Sequence, residues 1–128
     1  MRWLAVFMWM GIIFILSTDS FSAARTQSLT PSTFAFIIRK LAHGIEYFIL
    51  AVLLMRAMAA GSTAVSAKRH MLWSVIFAVI YAISDEWHQS FVLSRNAKAT
   101  DVIIDAIGAV CGATCFYYNF PFRSARKS

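Results

Sequence analysis

Four long apolar stretches dominate the chain: Trp3 to about Phe21, Phe34 to about Ala60, Met71 to about Val92 and Asp101 to about Phe120. Each is about the 20 residues that a helix rising about 1.5 Å per residue needs to cross a hydrocarbon core roughly 30 Å thick. Between them lie "SAARTQSLTPST", "GSTAVSAKR" and the short "LSRNAKAT", whose Pro, Gly, Ser, Asn and basic residues are breakers and turn formers. The pattern predicts an all-α membrane protein, a bundle of four transmembrane helices forming a single domain over residues 1–128. The first stretch has a second reading. One Arg, an apolar run from Leu4 to Leu16 and then "STDSFSAA" is also the layout of a cleaved secretory signal. The interfacial Trp3 and the length of the run favour a retained span.

Composition sharpens this picture. Of 128 residues 59% are hydrophobic and 14% charged, and mean hydropathy is +0.64. Ordinary soluble domains are about half apolar and a quarter charged. There is no internal repeat, low-complexity tract or Gly-rich phosphate loop.

The basic residues set an expected orientation. With the N-terminus in the cytoplasm, Arg2, Arg56, Lys68, Arg69, Arg123, Arg126 and Lys127 fall inside, and Arg25, Arg95 and Lys98 outside. Counting Arg39 and Lys40 as external still leaves seven against five. Both ends are therefore expected in the cytoplasm, with the net charge of +6 anchoring the inner face to anionic lipid. Basic residues scattered over loops, with no aromatic-interleaved patch, exclude nucleic acid as the expected partner.

Only six residues are acidic, and five of them, Glu46, Asp85, Glu86, Asp101 and Asp105, lie within or at the edges of apolar stretches. In this orientation Lys40, His43 and Glu46 lie roughly 9, 14 and 18 Å along the second helix from its outer end. Asp85, Glu86, His88 and Gln89 fall within roughly 14 Å of the outer surface on the third. Asp101 and Asp105 enter the same layer on the fourth. Lys40, His43 and Tyr47 recur at helical spacing, as do Asp85, His88 and Gln89, and Asp101, Asp105, Gly108 and Gly112. An ion at the bilayer centre costs about 2.5–3.5 kcal/mol on insertion scales, so each polar stripe is expected to turn inward. Gly108 and Gly112 form a GxxxG, which permits close approach of a neighbouring helix, including one from a second copy in a homo-oligomer.

Three segments carry a resemblance: "RKLAHGIEYFILAVLL" (39–54), "YAISDEWHQSFVLSR" (81–95) and "DVIIDAIGAVCGA" (101–113). They are similar to the VanZ-like family over about residues 37–113, through a Lys-x-x-His-x-x-Glu-Tyr stretch, a Ser-Asp-Glu-x-x-Gln stretch with an Arg shortly after, and an Asp-x-x-x-Asp-x-x-Gly helix. The resemblance implies a small multi-pass protein of the bacterial inner (cytoplasmic) membrane, in a family named for a member associated with low-level teicoplanin resistance. It carries over Lys40, His43, Glu46, Asp85, Glu86, Gln89, Arg95, Asp101 and Asp105 as motif positions. The family usually has Pro-Gly before the Arg, where this chain has "VLSR", so Arg95 is expected to be held differently. The resemblance implies no particular reaction.

Three functional classes follow. In an enzyme acting at the outer leaflet, His43 or Glu86 serves as general base, Asp85 orients the His, and Lys40 and Arg95 hold an anionic head group. Glu46, Tyr47, Gln89, Asp101 and Asp105 complete the binding surface. In a binding protein the same notch captures a membrane lipid, a lipid-linked envelope precursor or a lipophilic antibiotic. In a proton-relay or transport element the intramembrane acids and histidines carry protons, although no repeat of the transporter kind is visible. A further alternative is a structural ion-pair network in which Lys40 and Arg95 neutralise the acids. Glu86 is expected to face the second helix near Lys40 and His43. No cofactor is expected, nor a metal: His43-x-x-Glu46 and Glu86-x-His88 put ligand types on adjacent turns, but no HExxH-type motif occurs. Tyr47, Tyr81 and Trp87 also read as packing or interfacial aromatics, and Cys111 and Cys115 as small packing residues. Ser17 and Asp19 suit either a cap of the first helix or the polar layer.

Overall fold

A computed structural model describes residues 1–18, 32–59, 64–91 and 98–120. Within them lie four helices and no strand: α1 (Arg2–Thr18), α2 (Ser32–Met58), α3 (Ala64–Gln89) and α4 (Ala99–Asn119). The elements among the described residues are thus all helices, in the expected order.

α3 begins at Ala64, seven residues before the expected boundary at Met71. Lys68, Arg69 and His70 therefore sit on a helix and not in a loop. Between Gly61 and the end of α3 there is no Gly or Pro, and Ala, Lys and Arg are among the better helix formers. Two helical stretches, Phe36–Met58 and Ala99–Asn119, are long and apolar enough to cross a membrane, and Arg2–Ser17 is a shorter apolar helix. α3 carries Lys68 and Arg69 near one end and Asp85 and Glu86 near the other, which dilutes its apolar character.

The most extensive packing is between α2 and α4, followed by α3 with α4, while α1 lies mainly against α2. The α2–α4 contact follows from small residues. Gly108 and Gly112 pack directly on the backbone of Gly44 and Phe48, where an added methyl group would collide with main-chain atoms. Ala51, Ala109 and Ala113 continue the close fit. The GxxxG face thus packs against α2 of the same chain.

α1 is pinned by two aromatic side chains that combine apolar bodies with polar tips. The Trp9 indole N–H donates to the backbone carbonyl of Glu46 at 2.9 Å, and the Tyr81 hydroxyl donates to that of Met10 at 2.6 Å. The distribution of polarity is inverted relative to a soluble domain. Asp85, Glu86, Gln89 and Asp105 are buried, whereas Phe7, Ile15, Leu41, Ile45, Ile83 and Ile103 are exposed. Soluble proteins rarely bury acidic side chains or expose apolar residues in such continuous bands.

Candidate functional site

The site grows from three helix stripes. On α2, Lys40, His43, Glu46 and Tyr47 occupy two successive turns. On α3, Asp85, Glu86 and Gln89 occupy the last turn and a half. On α4, Asp101 and Asp105 occupy the first two turns. The Gly44–Gly108 contact draws α2 and α4 together beside them.

Nearest the end of the bundle Lys40 forms an ion pair with Asp101, both side chains being largely shielded, and its ammonium lies 5.2 Å from the centre of the Phe36 ring. Asp101 is the third residue after the cap of α4, where a carboxylate also favours the helix dipole. Lys98, the N-cap residue, offers no side-chain cap. Its backbone N–H instead donates to the Glu86 carboxylate of α3. Glu86 thus ties α3 to the start of α4, satisfying a donor that helix ends leave open.

Deeper in, His43 Nδ1 lies 3.7 Å from Asp105 Oδ1 and 3.9 Å from Glu46 Oε2, close enough for charge attraction but longer than a direct hydrogen bond. Asp85 accepts a 2.9 Å hydrogen bond from the Gln89 side-chain amide. Asp105 is only 2% exposed, and the charges acting on it are those of Asp85, Glu46, Glu86 and Lys40. Tyr47 is fully buried, with its ring 6.3 Å from that of Tyr81. Asp105 Oδ1 and the Tyr47 hydroxyl have no hydrogen-bond partner among the described residues.

The geometry adds partners to the expected residues. Asp85 accepts a hydrogen bond from Gln89, and Asp105 and Glu46 bring carboxylates within 4 Å of His43. Glu86 accepts from the main chain at the start of α4 and also acts electrostatically on Lys40, which forms an ion pair with Asp101. Two other expectations are corrected. His88 leaves the stripe of Asp85 and Gln89, its ring packing 4.6 Å from that of Phe14 on α1. Residues at i and i+3 diverge by about 60° around a helix, enough here for one to face α4 and the other α1. Cys111 and Cys115 are exposed free cysteines rather than buried packing residues. Ser17 is buried at 3%, while Arg95 and Asp19 lie outside the described residues.

The sequence reading missed the anchoring roles of Trp9 and Tyr81. Their signal was a polar tip within an apolar run, but the partners are backbone carbonyls, which no side-chain pattern reveals. The backbone N–H of Lys98 was missed for the same reason. Among the described residues no group of three or more His, Cys, Asp or Glu side chains is arranged to hold a metal ion.

The Lys40-x-x-His43-x-x-Glu46, Asp85-Glu86-x-x-Gln89 and Asp101-x-x-x-Asp105 stripes thus meet at one end of the bundle. A family profile described as VanZ/LLP1 matches residues 2–120, nearly the whole chain. The chain belongs to the VanZ/LLP1 family. No curated protein and no solved structure matches it. The VanZ/LLP1 match extends beyond the motif-bearing core to α1, and so includes the helix anchored through Trp9 and Tyr81. Family membership and two helices of membrane-spanning length and apolarity together point to a membrane protein.

Proposed function

We propose that this VanZ/LLP1 protein crosses the bacterial cytoplasmic membrane four times, with both termini in the cytoplasm, and uses its polar cluster as an outward-facing site for an envelope lipid or lipid-linked precursor. The carrying observation is that two buried polar groups beside His43, Asp105 Oδ1 and the Tyr47 hydroxyl, have no hydrogen bond among the described residues, the nearest approach being His43 Nδ1 at 3.7 Å from Asp105 Oδ1. A polar group taken from water without a hydrogen bond costs about 1–3 kcal/mol by protein mutational data. A purely structural network gains nothing from leaving two such groups open. A hydroxylated or phosphorylated head group supplies the donors and acceptors that would satisfy them. The inverted surface, apolar outside and acidic inside, supports the membrane setting.

Roles follow from position. His43, flanked by Asp105 and Glu46, is the candidate general base or hydrogen-bonding group. Asp85 and Gln89 hold one another on the opposite wall, and Tyr47 offers a hydroxyl from below. Lys40 and Asp101 form the outer rim, and Glu86 positions α4. The Lys40–Asp101 pair favours a structural role for those two side chains, so the ion-pair reading applies to the rim and the ligand-binding reading to the interior. Catalysis and binding without chemistry both use this arrangement, and proton relay is the third use of the same acids.

The test is complementation of a deletion strain scored by glycopeptide sensitivity. Asp105→Asn and His43→Gln preserve much of the volume and hydrogen-bonding capacity. They are expected to express and melt close to wild type while failing to restore the wild-type sensitivity profile. Folded variants that complement fully would remove both residues from the site.

A further inference from the structure

α1 carries a polar side chain into the interior. Val6, Ile13 and Ser17 fall within an arc of about 40° around its axis, and all three are buried. Tyr81 of α3 bonds to Met10, and further along both helices His88 packs on Phe14. α1 and α3 therefore run in the same direction, and Ser17, one turn beyond Phe14, comes level with the end of α3, where Gln89 is also buried. That is the end of the bundle at which the polar stripes meet.

The Ser17 hydroxyl behaves unlike those of α3. Ser74, Ser84 and Ser90 each donate to a carbonyl three or four residues earlier, the usual resort of a helical serine. Ser17 is 3% exposed, yet its hydroxyl bonds to nothing among the described residues. The Tyr47 hydroxyl and Asp105 Oδ1 share that condition.

The three groups make a joint demand. A hydroxyl both donates and accepts, whereas an ionised carboxylate only accepts. Ser17 and Tyr47 each have a proton to give, and Asp105 needs a donor. A phosphodiester offers acceptors alone and leaves Asp105 open. An ammonium offers donors alone and leaves both hydroxyl protons open. Neighbouring hydroxyls on one ligand offer both.

We infer that Ser17, Tyr47 and Asp105 together receive a polyhydroxylated head group, a sugar or polyol, and that Ser17 is the contact contributed by α1. This rests on the proposed function and names the chemistry of its ligand.

Native mass spectrometry in a polyoxyethylene detergent, which carries no sugar, tests it with three added lipids of identical tails: glucosyl diacylglycerol, phosphatidylethanolamine and phosphatidylcholine. The glucosyl lipid is expected to be retained at least tenfold more than the other two. Ser17→Ala and Tyr47→Phe each remove one hydroxyl and should cut that retention at least fivefold. Because Ser17→Ala breaks no hydrogen bond, its thermal midpoint without lipid should equal or exceed that of the wild type. Ser74→Ala, at a position as deeply buried but bonded to Met71, should leave retention unchanged. Displacement of the lipid by excess free glucose would assign the site to a soluble sugar, and persistence of the adduct to a lipid-linked one; polyol recognition stands in both. A midpoint of Ser17→Ala well below wild type overturns the inference, since the hydroxyl is then structural. Unchanged retention in Ser17→Ala also overturns it and is the result expected if buried water completes that hydroxyl. Equal retention of the three lipids, with Asp105→Asn still inactive in complementation, overturns the polyol assignment alone. Unchanged retention in Ser17→Ala, Tyr47→Phe and Asp105→Asn alike overturns the proposed function as well.

Discussion

Lys40 and Lys68 both sit on helices, but only Lys40 is shielded and paired. Lys40→Met would leave Asp101 without its cation, and breaking a buried pair costs about 3–5 kcal/mol. Partial exposure of this pair places the expectation at the low end. Lys68→Met removes an exposed charge worth roughly 0–1 kcal/mol. Thermal melts in detergent should therefore show a large drop for Lys40→Met and almost none for Lys68→Met; equal midpoints would mean that the Lys40 charge is satisfied by water. That Lys40 belonged to a polar layer was legible from its spacing with His43 and Tyr47. Its partner was not, because Glu86, Asp85 and Asp101 are all within plausible reach in a one-dimensional reading. In the fold Lys40 pairs with Asp101, while Glu86 accepts from the Lys98 backbone N–H and acts on Lys40 from α3.

Among elements, α2 and α4 depend most on what their glycines lack. A methyl group at Gly108 meets the Gly44 carbonyl, and one at Gly112 meets that of Phe48. Backbone cannot swing aside as a side chain can, so Gly108→Ala is expected to separate the helices, cost well over the roughly 1 kcal/mol that Ala normally gains over Gly in a helix, and lower the midpoint. Gly11→Ala provides the opposite sign: nothing lies within 4 Å of its added carbon, so only the helix-propensity gain remains and the midpoint should rise. A Gly108→Ala variant as stable as wild type would contradict the close contact. The GxxxG itself was readable, since Gly at four-residue spacing in an apolar helix marks a packing face. Which helix filled it was not, because an intrachain neighbour and a second copy make the same demand on sequence. Helix boundaries were legible at α4, where "RNAKAT" precedes the run. They failed at α3, where hydropathy falls at Lys68 and Arg69 while helix propensity does not.

Over the whole molecule, the distribution of Lys and Arg argues for cytoplasmic termini, and the inward turn of the acids argues for a site near the opposite surface. With Cys111 and Cys115 replaced by Ser, Lys68→Cys and Ala99→Cys place single thiols at exposed positions near opposite ends of the bundle. In intact cells an impermeant maleimide should label position 99 and spare position 68. The reverse pattern would turn the polar site toward the cytoplasm and remove the envelope lipid as its ligand. The four-helix order and the polar layer were legible because charge is scarce in this chain and its placement is correspondingly informative. The anchoring of α1 through Trp9 and Tyr81, and the helix crossing at Gly44, arise from backbone atoms and from missing side chains, to which residue patterns are blind.

Native mass spectrometry of the gently purified protein, wild type beside Asp105→Asn, tests most directly whether the buried cluster is a lipid site. The expected result is a discrete lipid adduct on the wild-type chain that is lost, or reduced at least tenfold, in an Asp105→Asn protein of unchanged thermal midpoint. Absence of any adduct on the wild type, or the same adduct at the same occupancy on both, would contradict it.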